Sequence, residues 1–265
     1  TSQWAFLLFA VLEILCFFLF FTYNEPQGEI ASSSWSLYSN QFKAQKDAAR
    51  RYASLSSLNT ELIEQNAELL SRLPNAYYTE TLDTASIKDD SLRQRYSYIG
   101  ARIINKSPPS GNITYVLDRG HIHGVKPHQG VIHSKGIVGI VSKVSQRHCR
   151  VMSLMHSKVQ ISAGLRGSSF FGSLYWTGGD TRQALLSAIP EYATVEPGDT
   201  VETTGYSNIF PTGVAIGTIK KVDRQKGDNT LNCEVDLFLD FFTVENGYVV
   251  RDLLKDDLDQ LDINE

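Results

Sequence analysis

The chain has 265 residues, 42% of them hydrophobic, and 25 Lys and Arg against 29 Asp and Glu give it a formal charge of -4. That balance argues against a nucleic-acid surface, which needs a basic excess. Three cysteines, Cys16, Cys149 and Cys233, are too few for a disulfide framework; Cys149 and Cys233 could make one bridge at most, and two buried thiols are expected.

Residues 4–23 read WAFLLFAVLEILCFFLFFTY, with Glu13 as the only charge. Twenty helical residues rise about 30 Å, the thickness of a bilayer's hydrocarbon core. Trp4 at one end and Phe21 and Tyr23 at the other suit the two membrane interfaces. A secretory signal has a shorter apolar core and a small-residue cleavage site; here an uncleaved anchor is expected, with residues 1–3 cytoplasmic and the bulk of the chain on the far side. Glu13 must be protonated, snorkelling or paired with another helix at that depth.

Pro26, Gly28 and a serine run mark residues 24–36 as a juxtamembrane linker. Residues 37–73 then run without Pro or Gly and fit a heptad with Tyr52, Asn59, Asn66 and Leu73 at a and Ala48, Leu55, Leu62 and Leu69 at d. Leu at d with Asn at a favours a parallel two-stranded coiled coil, because each Asn can bond its mate. A lone amphipathic helix packed on its own β domain would show a similar stripe. Two anchors held in one membrane would raise the effective concentration, so a weak zipper suffices. Pro74 ends the helix, and residues 74–97 are a polar connector.

From residue 98 to 251 short runs rich in Val, Ile, Phe and Tyr alternate with Gly, Pro and Asp turns. Strands are expected near 98–105, 112–117, 129–133, 136–144, 149–154, 159–164, 169–176, 184–189, 200–203, 213–222, 230–238 and 247–251. The fold class is mainly β, a membrane helix and a coiled-coil helix followed by two small barrel-like lobes, with an acidic tail over 252–265. An internal repeat supports two lobes. Val125-Lys-Pro127 leads to Gly136-Ile-Val-Gly-Ile-Val-Ser-Lys-Val144, and Val195-Glu-Pro197 leads to Gly213-Val-Ala-Ile-Gly-Thr-Ile-Lys-Lys-Val222. Gly139 and Gly217 would suit a bulge or close strand crossing; Gly120, Gly124, Gly205, Pro211 and Gly213 punctuate turns. The loop between Thr203 and Gly213 holds Tyr206, Ile209 and Phe210, which either plug a lobe or offer aromatic anchors to a partner.

Catalytic patterns are absent. All six histidines lie between His121 and His156, yet no HExxH, CxxC or carboxylate spacing accompanies them, and a His-rich turn region is the plainer reading. Ser153 and Ser157 flank His156 without a GxSxG elbow, and Gly167-Ser-Ser169 is a poor nucleophile loop. No catalytic residue, cofactor or metal site is assigned.

Two blocks resemble a known family, the bacterial rod shape-determining MreC proteins. They are Leu117-Asp-Arg-Gly-His-Ile-His-Gly-Val-Lys-Pro127 with Gly136-Ile-Val-Gly-Ile-Val141, and Pro197-Gly-Asp-Thr-Val-Glu-Thr-Thr-Gly205 with Ile209-Phe-Pro-Thr-Gly-Val-Ala-Ile-Gly-Thr-Ile219. Thr203-Thr204 stands where the family often has Thr-Ser, and the His-rich turn is unusual. The resemblance implies a non-catalytic scaffold of the cell-elongation machinery in the bacterial inner membrane, most of it periplasmic or extracytoplasmic. It implies a homodimer that can associate further, binds the elongation transpeptidase (a class B penicillin-binding protein) and works with MreD, RodA and MreB. β edges and loops would be its gripping surfaces. A periplasmic adaptor of a transport or secretion assembly also joins one span, a coiled coil and β domains, but usually inserts a helical hairpin within the β region.

Overall fold

A computed structural model describes residues 2–23, 55–79, 92–108, 111–224 and 229–255. The expected linker 24–36, the helix residues 37–54 (Ala48 and Tyr52 among them) and the tail from 256 lie outside these. Two units are distinguished, residues 1–60 and 61–265.

The first contains α1, Ser2–Tyr23, with no acidic or basic residue in its end turns. Its window Gln3–Phe20 has mean hydropathy 2.2 and is long and apolar enough to cross a membrane. A second helix, α2, covers residues 55–71.

Fourteen strands complete the described chain. β1 (Tyr77–Thr79) and β2 (Leu92–Gln94) form a small antiparallel ribbon inside the expected connector. The twelve others fall where alternation and turn residues placed them. They are β3 (Tyr96–Lys106), β4 (Thr114–Leu117), β5 (Gly130–His133), β6 (Gly136–Val144), β7 (Cys149–Ser153), β8 (Gln160–Leu165), β9 (Phe171–Tyr175), β10 (Gln183–Pro190), β11 (Thr200–Thr203), β12 (Ala215–Asp223), β13 (Thr230–Leu237) and β14 (Asn246–Asp252).

They close two antiparallel barrels, β14-β3-β4-β7-β6-β5 and β10-β13-β12-β11-β8-β9. The chain builds five strands of the first barrel, then all six of the second, and returns with β14 to pair with both β3 and β5. Barrel 2 is thus spliced into barrel 1. Val131, Val138, Val141 and Val151 lie fully buried in barrel 1, and Leu174, Leu186, Val201 and Val235 in barrel 2. Every barrel strand has two neighbours, so the barrels present no open β edge, in contrast to the edges expected as gripping surfaces.

The repeat is real at the level of single hydrogen bonds. Laying β5-β6-β7 on β11-β12-β13 brings every strand pairing of one barrel onto a pairing of the other, with β14 matched by β8, so the copies are circularly permuted. In the turns, the Lys126 N–H donates to Gln129 Oε1 at 2.8 Å and the Glu196 N–H donates to Asp199 Oδ2 at 2.9 Å. His128 and Gly198 each donate a backbone bond of 2.8 Å, to Val141 and Ile219 respectively. The strands then slip register at matched points, between Val141 and Lys143 and between Ile219 and Lys221. Gly139 and Gly217 explain why the motif needs glycine. A Cβ on either would run into a carbonyl oxygen across the ladder, that of Met152 or of Asp236.

The cysteines are matched too: Cys149 faces Val144 across β6-β7, and Cys233 faces Val222 across β12-β13. Both are free and buried. Burial pushes their thiols up, to about 12 and about 11, so neither is a nucleophile near neutral pH.

The helix packs on barrel 1 with a face other than the leucine stripe. Ile63 and Ala67 are buried, and Ile63 Cγ2 lies 2.6 Å from where a Cβ on Gly100 would stand. Ser71 Oγ accepts from the Tyr98 N–H at 3.3 Å. Asn66, also an expected seam position, stands close enough to Tyr248 of β14 for its side chain to oppose the rise that burial gives the phenol's pKa.

Histidines serve as turn caps. His123 Nδ1 accepts from the Gly120 N–H at 3.0 Å, His133 Nδ1 from Lys135 at 3.2 Å and His156 Nδ1 from Lys158 at 3.1 Å. Burial, and then the neighbouring Lys135 or Lys158 charge, lowers the pKa of His133 and His156 below the usual 6.5.

Replacing Gly139 or Gly217 by Ala is expected to destabilise the chain by about 2–3 kcal/mol each, the scale of overpacking, seen as a drop in Tm. For the histidines, the unfolded chain takes up protons first as pH falls below 6.5. Their contribution is therefore intact above that pH and is lost as pH falls through the depressed folded values. Asn at 133 and 156 keeps a cap acceptor without titrating. The double variant is expected to show a flatter fall of Tm between about pH 7 and 5; an unchanged slope would refute the assignment.

Candidate protein-docking surfaces

The loop joining β11 to β12 is what the second copy has and the first lacks. β5 and β6 are joined by residues 134–135, whereas residues 204–214 join β11 and β12. Its base is tied at several points. Thr203 Oγ1 donates to the Pro211 carbonyl at 2.6 Å and accepts from the Val214 N–H at 2.9 Å. Thr212 Oγ1 donates to the Thr204 carbonyl at 3.1 Å, and the Ser162 and Thr204 hydroxyls meet at 2.7 Å. Gly205 and Gly213 turn the chain at positive φ.

The three apolar residues of this loop separate. Phe210 is 1% exposed and its ring lies 2.5 Å from where a Gly130 Cβ would stand, so the bare start of β5 is what lets it dock on barrel 1. Ile209 is half-buried against the same core. Tyr206 is 70% exposed and leans on Phe171 of β9, ring centroids 4.8 Å apart. One residue along, Phe170 meets the exposed Tyr192 edge-on at 5.5 Å. A shallow cleft of about 190 Å³ opens beside Phe171 and Tyr206, walled by Thr204, Glu202 and Ser168. Phe171 and Tyr192 carried no sequence signal, because a strand-end Phe reads as core until the strand's facing is known.

Arg95 secures the loop from outside. Its Nε and Nη2 donate to Asp252 Oδ2 at 3.3 and 3.2 Å, Nη2 also donates to Asn208 Oδ1 at 3.1 Å, and the guanidinium sits 4.9 Å above the Tyr96 ring. Asp252 is only 3% exposed as a side chain, so this ion pair lies out of solvent's screening. Asn208 stands at φ 51, a left-handed conformation that its bond to Arg95 holds.

A second apolar surface lies on α2. Leu55, Leu58, Leu62, Leu69 and Leu73 are exposed, Leu62 to 48% and Leu69 to 60%. Asn59 is exposed as well. Leu55, Leu62, Leu69 and Leu73, with Asn59, are positions of the expected heptad, and Leu62 and Leu69 lie off the Ile63 and Ala67 face that barrel 1 covers.

Among the remaining expected turn residues, Gly124 has positive φ. Gly120 is extended and needs its missing Cβ, whose place lies 2.5 Å from the His148 nitrogen. Among the described residues no three His, Cys, Asp or Glu side chains converge to hold a metal. Ser153 is buried and caps the Met155 N–H, while Asp118 is taken by Arg102 and Arg119.

Comparison with known proteins fits this architecture. The chain is 29% identical over 190 residues, 71% of its length, to the cell shape-determining protein MreC of Listeria monocytogenes, and spans 61% of that relative's own length. A solved Listeria MreC structure is 26% identical with a TM-score of 0.56, covering 78% of this chain and 93% of that one. MreC of Helicobacter pylori, solved in complex with the penicillin-binding protein PBP2, shares the fold at 15% identity and a TM-score of 0.51, covering 60% of this chain and 99% of that one. Residues 103–251, more than half the chain, match the model of the rod shape-determining protein MreC barrel core, and the chain belongs to that family.

Proposed function

We propose that this chain is a membrane-anchored, dimeric scaffold of the cell-elongation machinery that binds a class B penicillin-binding protein, the elongation transpeptidase, and performs no catalysis itself. The observation that carries this reading is the Tyr206-Phe171 pair. Two exposed aromatic rings meet, Tyr206 on a loop whose base is hydrogen-bonded into barrel 2 and Phe171 on β9 of the same barrel. Large rigid rings give much contact area at little entropic cost, which is why they dominate binding hot spots. A relative of the same fold is held in a complex with PBP2, and this chain's aromatic surface offers the matching kind of anchor. With both barrels closed, neither barrel offers an edge strand to extend, and a partner docking on them is held by side chains.

α1 serves as the anchor in the inner membrane, keeping the barrels on the periplasmic or extracytoplasmic side where the transpeptidase works; MreD, RodA and MreB are the further partners. Dimerisation uses the exposed leucines of α2, with Asn59 at the seam and Tyr52 continuing it. Asn66, exposed on α2, is the second asparagine of that seam.

Two outcomes test this. Tyr206→Ala with Phe171→Ala is expected to weaken co-purification with the transpeptidase by about tenfold or more, the cost of two hot-spot rings, while Tm changes little; undiminished capture refutes the surface. Leu62→Lys with Leu69→Lys is expected to weaken the dimer by about a hundredfold, since each buried Leu is worth roughly 1.5–3 kcal/mol. Analytical ultracentrifugation in detergent reads that change, and an unaltered oligomer ends the zipper assignment.

A further inference from the structure

A cleft of about 650 Å³ lies beside the Val125-Lys-Pro127 turn, where β14 leaves barrel 1; its polar lining includes His121, Lys126, His128, Arg251, Asp252 and Lys255. Arg251 and Lys255 are permanent cations among these, in a chain whose formal charge is -4. Asp252, the one carboxylate among the described lining residues, does not balance them. Asp252 Oδ2 is spent on Arg95, which lies outside the lining, and Oδ1 accepts from the Leu254 N–H at 3.0 Å. The Arg251 guanidinium makes no hydrogen bond or ion pair with any described residue, and its Nη1 lies 3.6 Å from where a Cβ on Gly124 would stand. Lys255 Nζ gives one long bond, 3.4 Å, to the His128 carbonyl, leaving two donors.

The internal repeat shows what the fold itself requires here. The two turns share their backbone bonds and their side-chain cap. Yet the second reads Glu196, Gly198 and Asp199 where the first reads Lys126, His128 and Gln129. Geometry is kept while charge is reversed, so folding does not dictate the basic residues. His128 even sits at φ 64 where its counterpart is a glycine at φ 99. A non-glycine residue in that region costs about 1 kcal/mol or more, and such strain gathers at functional positions.

We propose that this cleft binds a phosphate group, held by the Arg251 guanidinium and the Lys255 ammonium group. A guanidinium presents paired N–H donors that match phosphate oxygens, and charge-assisted bonds of this kind are the strong ones. The group can belong to an anionic phospholipid headgroup or to a soluble phosphate compound. The site is independent of what the aromatic surface binds.

The test uses the full chain in detergent, titrated calorimetrically with pyrophosphate, with dihexanoylphosphatidylglycerol and with dihexanoylphosphatidylcholine as the zwitterionic control. Binding of either anionic compound is expected, and the one that binds identifies the source. Two variants should each weaken it by about tenfold or more, the scale of one or two charge-assisted bonds. One is Arg251→Gln with Lys255→Gln. The other grafts the second turn onto the first, Lys126→Glu, His128→Gly and Gln129→Asp, which the repeat shows to be compatible with the backbone. Lys158→Gln, on a different turn, should leave binding unchanged. No binding, equal binding of the zwitterionic lipid, or indifference to both variants overturns the proposal. So does capture of a free peptide of residues 256–265, which carries five acidic side chains, with no response to phosphate.

Discussion

Barrel 1 is incomplete until β14 arrives. β3 and β5 have no other partner on their open sides, and β14 pairs with β3 along its whole length while joining β5 at Tyr248 and Val249. Residue 96 therefore waits for residue 252, and all of barrel 2 lies in between. Contacts so distant in sequence carry a large loop-closure cost before they give any return, and topologies of this kind fold slowly. The aromatic loop and the basic cleft both depend on that last strand. Its Asp252 receives Arg95, and its Arg251 faces the cationic cleft.

The strands were legible in the sequence because alternation and turn chemistry are local. All twelve strands of the two barrels were placed, and the repeat was visible through Gly139 and Gly217, whose spacing from Lys143 and Lys221 is the same. Which strands meet was not legible. Pairing of β14 with β5, and the match of β14 to β8, depend on contacts that leave no mark on either segment alone. The hairpin ribbon of β1 and β2 was also missed, since Tyr77–Thr79 and Leu92–Gln94 are too short to show a period.

Two segments show why a residue's type does not fix its use. On α2, leucines and Ile63 are equally apolar, yet one face is covered by barrel 1 and the other left bare. A heptad template captures spacing only and does not tell which face the barrel covers. In the loop 204–214 the apolar residues divide: Phe210 is the plug, and Tyr206 is left exposed. Only the absence of a side chain at Gly130 decides which, and nothing near Phe210 in the sequence reports it.

The splice of barrel 2 into barrel 1 has a mechanical consequence. A lobe appended at a chain end hangs by one covalent thread and can swivel on it. Here two threads, one after β7 and one before β14, cross between the barrels, and Phe210 adds a third tie by docking at Gly130 of β5. A twist applied to barrel 2 is resisted at both crossings and passes into the wall of barrel 1. Whatever grips Tyr206 is therefore pulling on a lever and not on a tether.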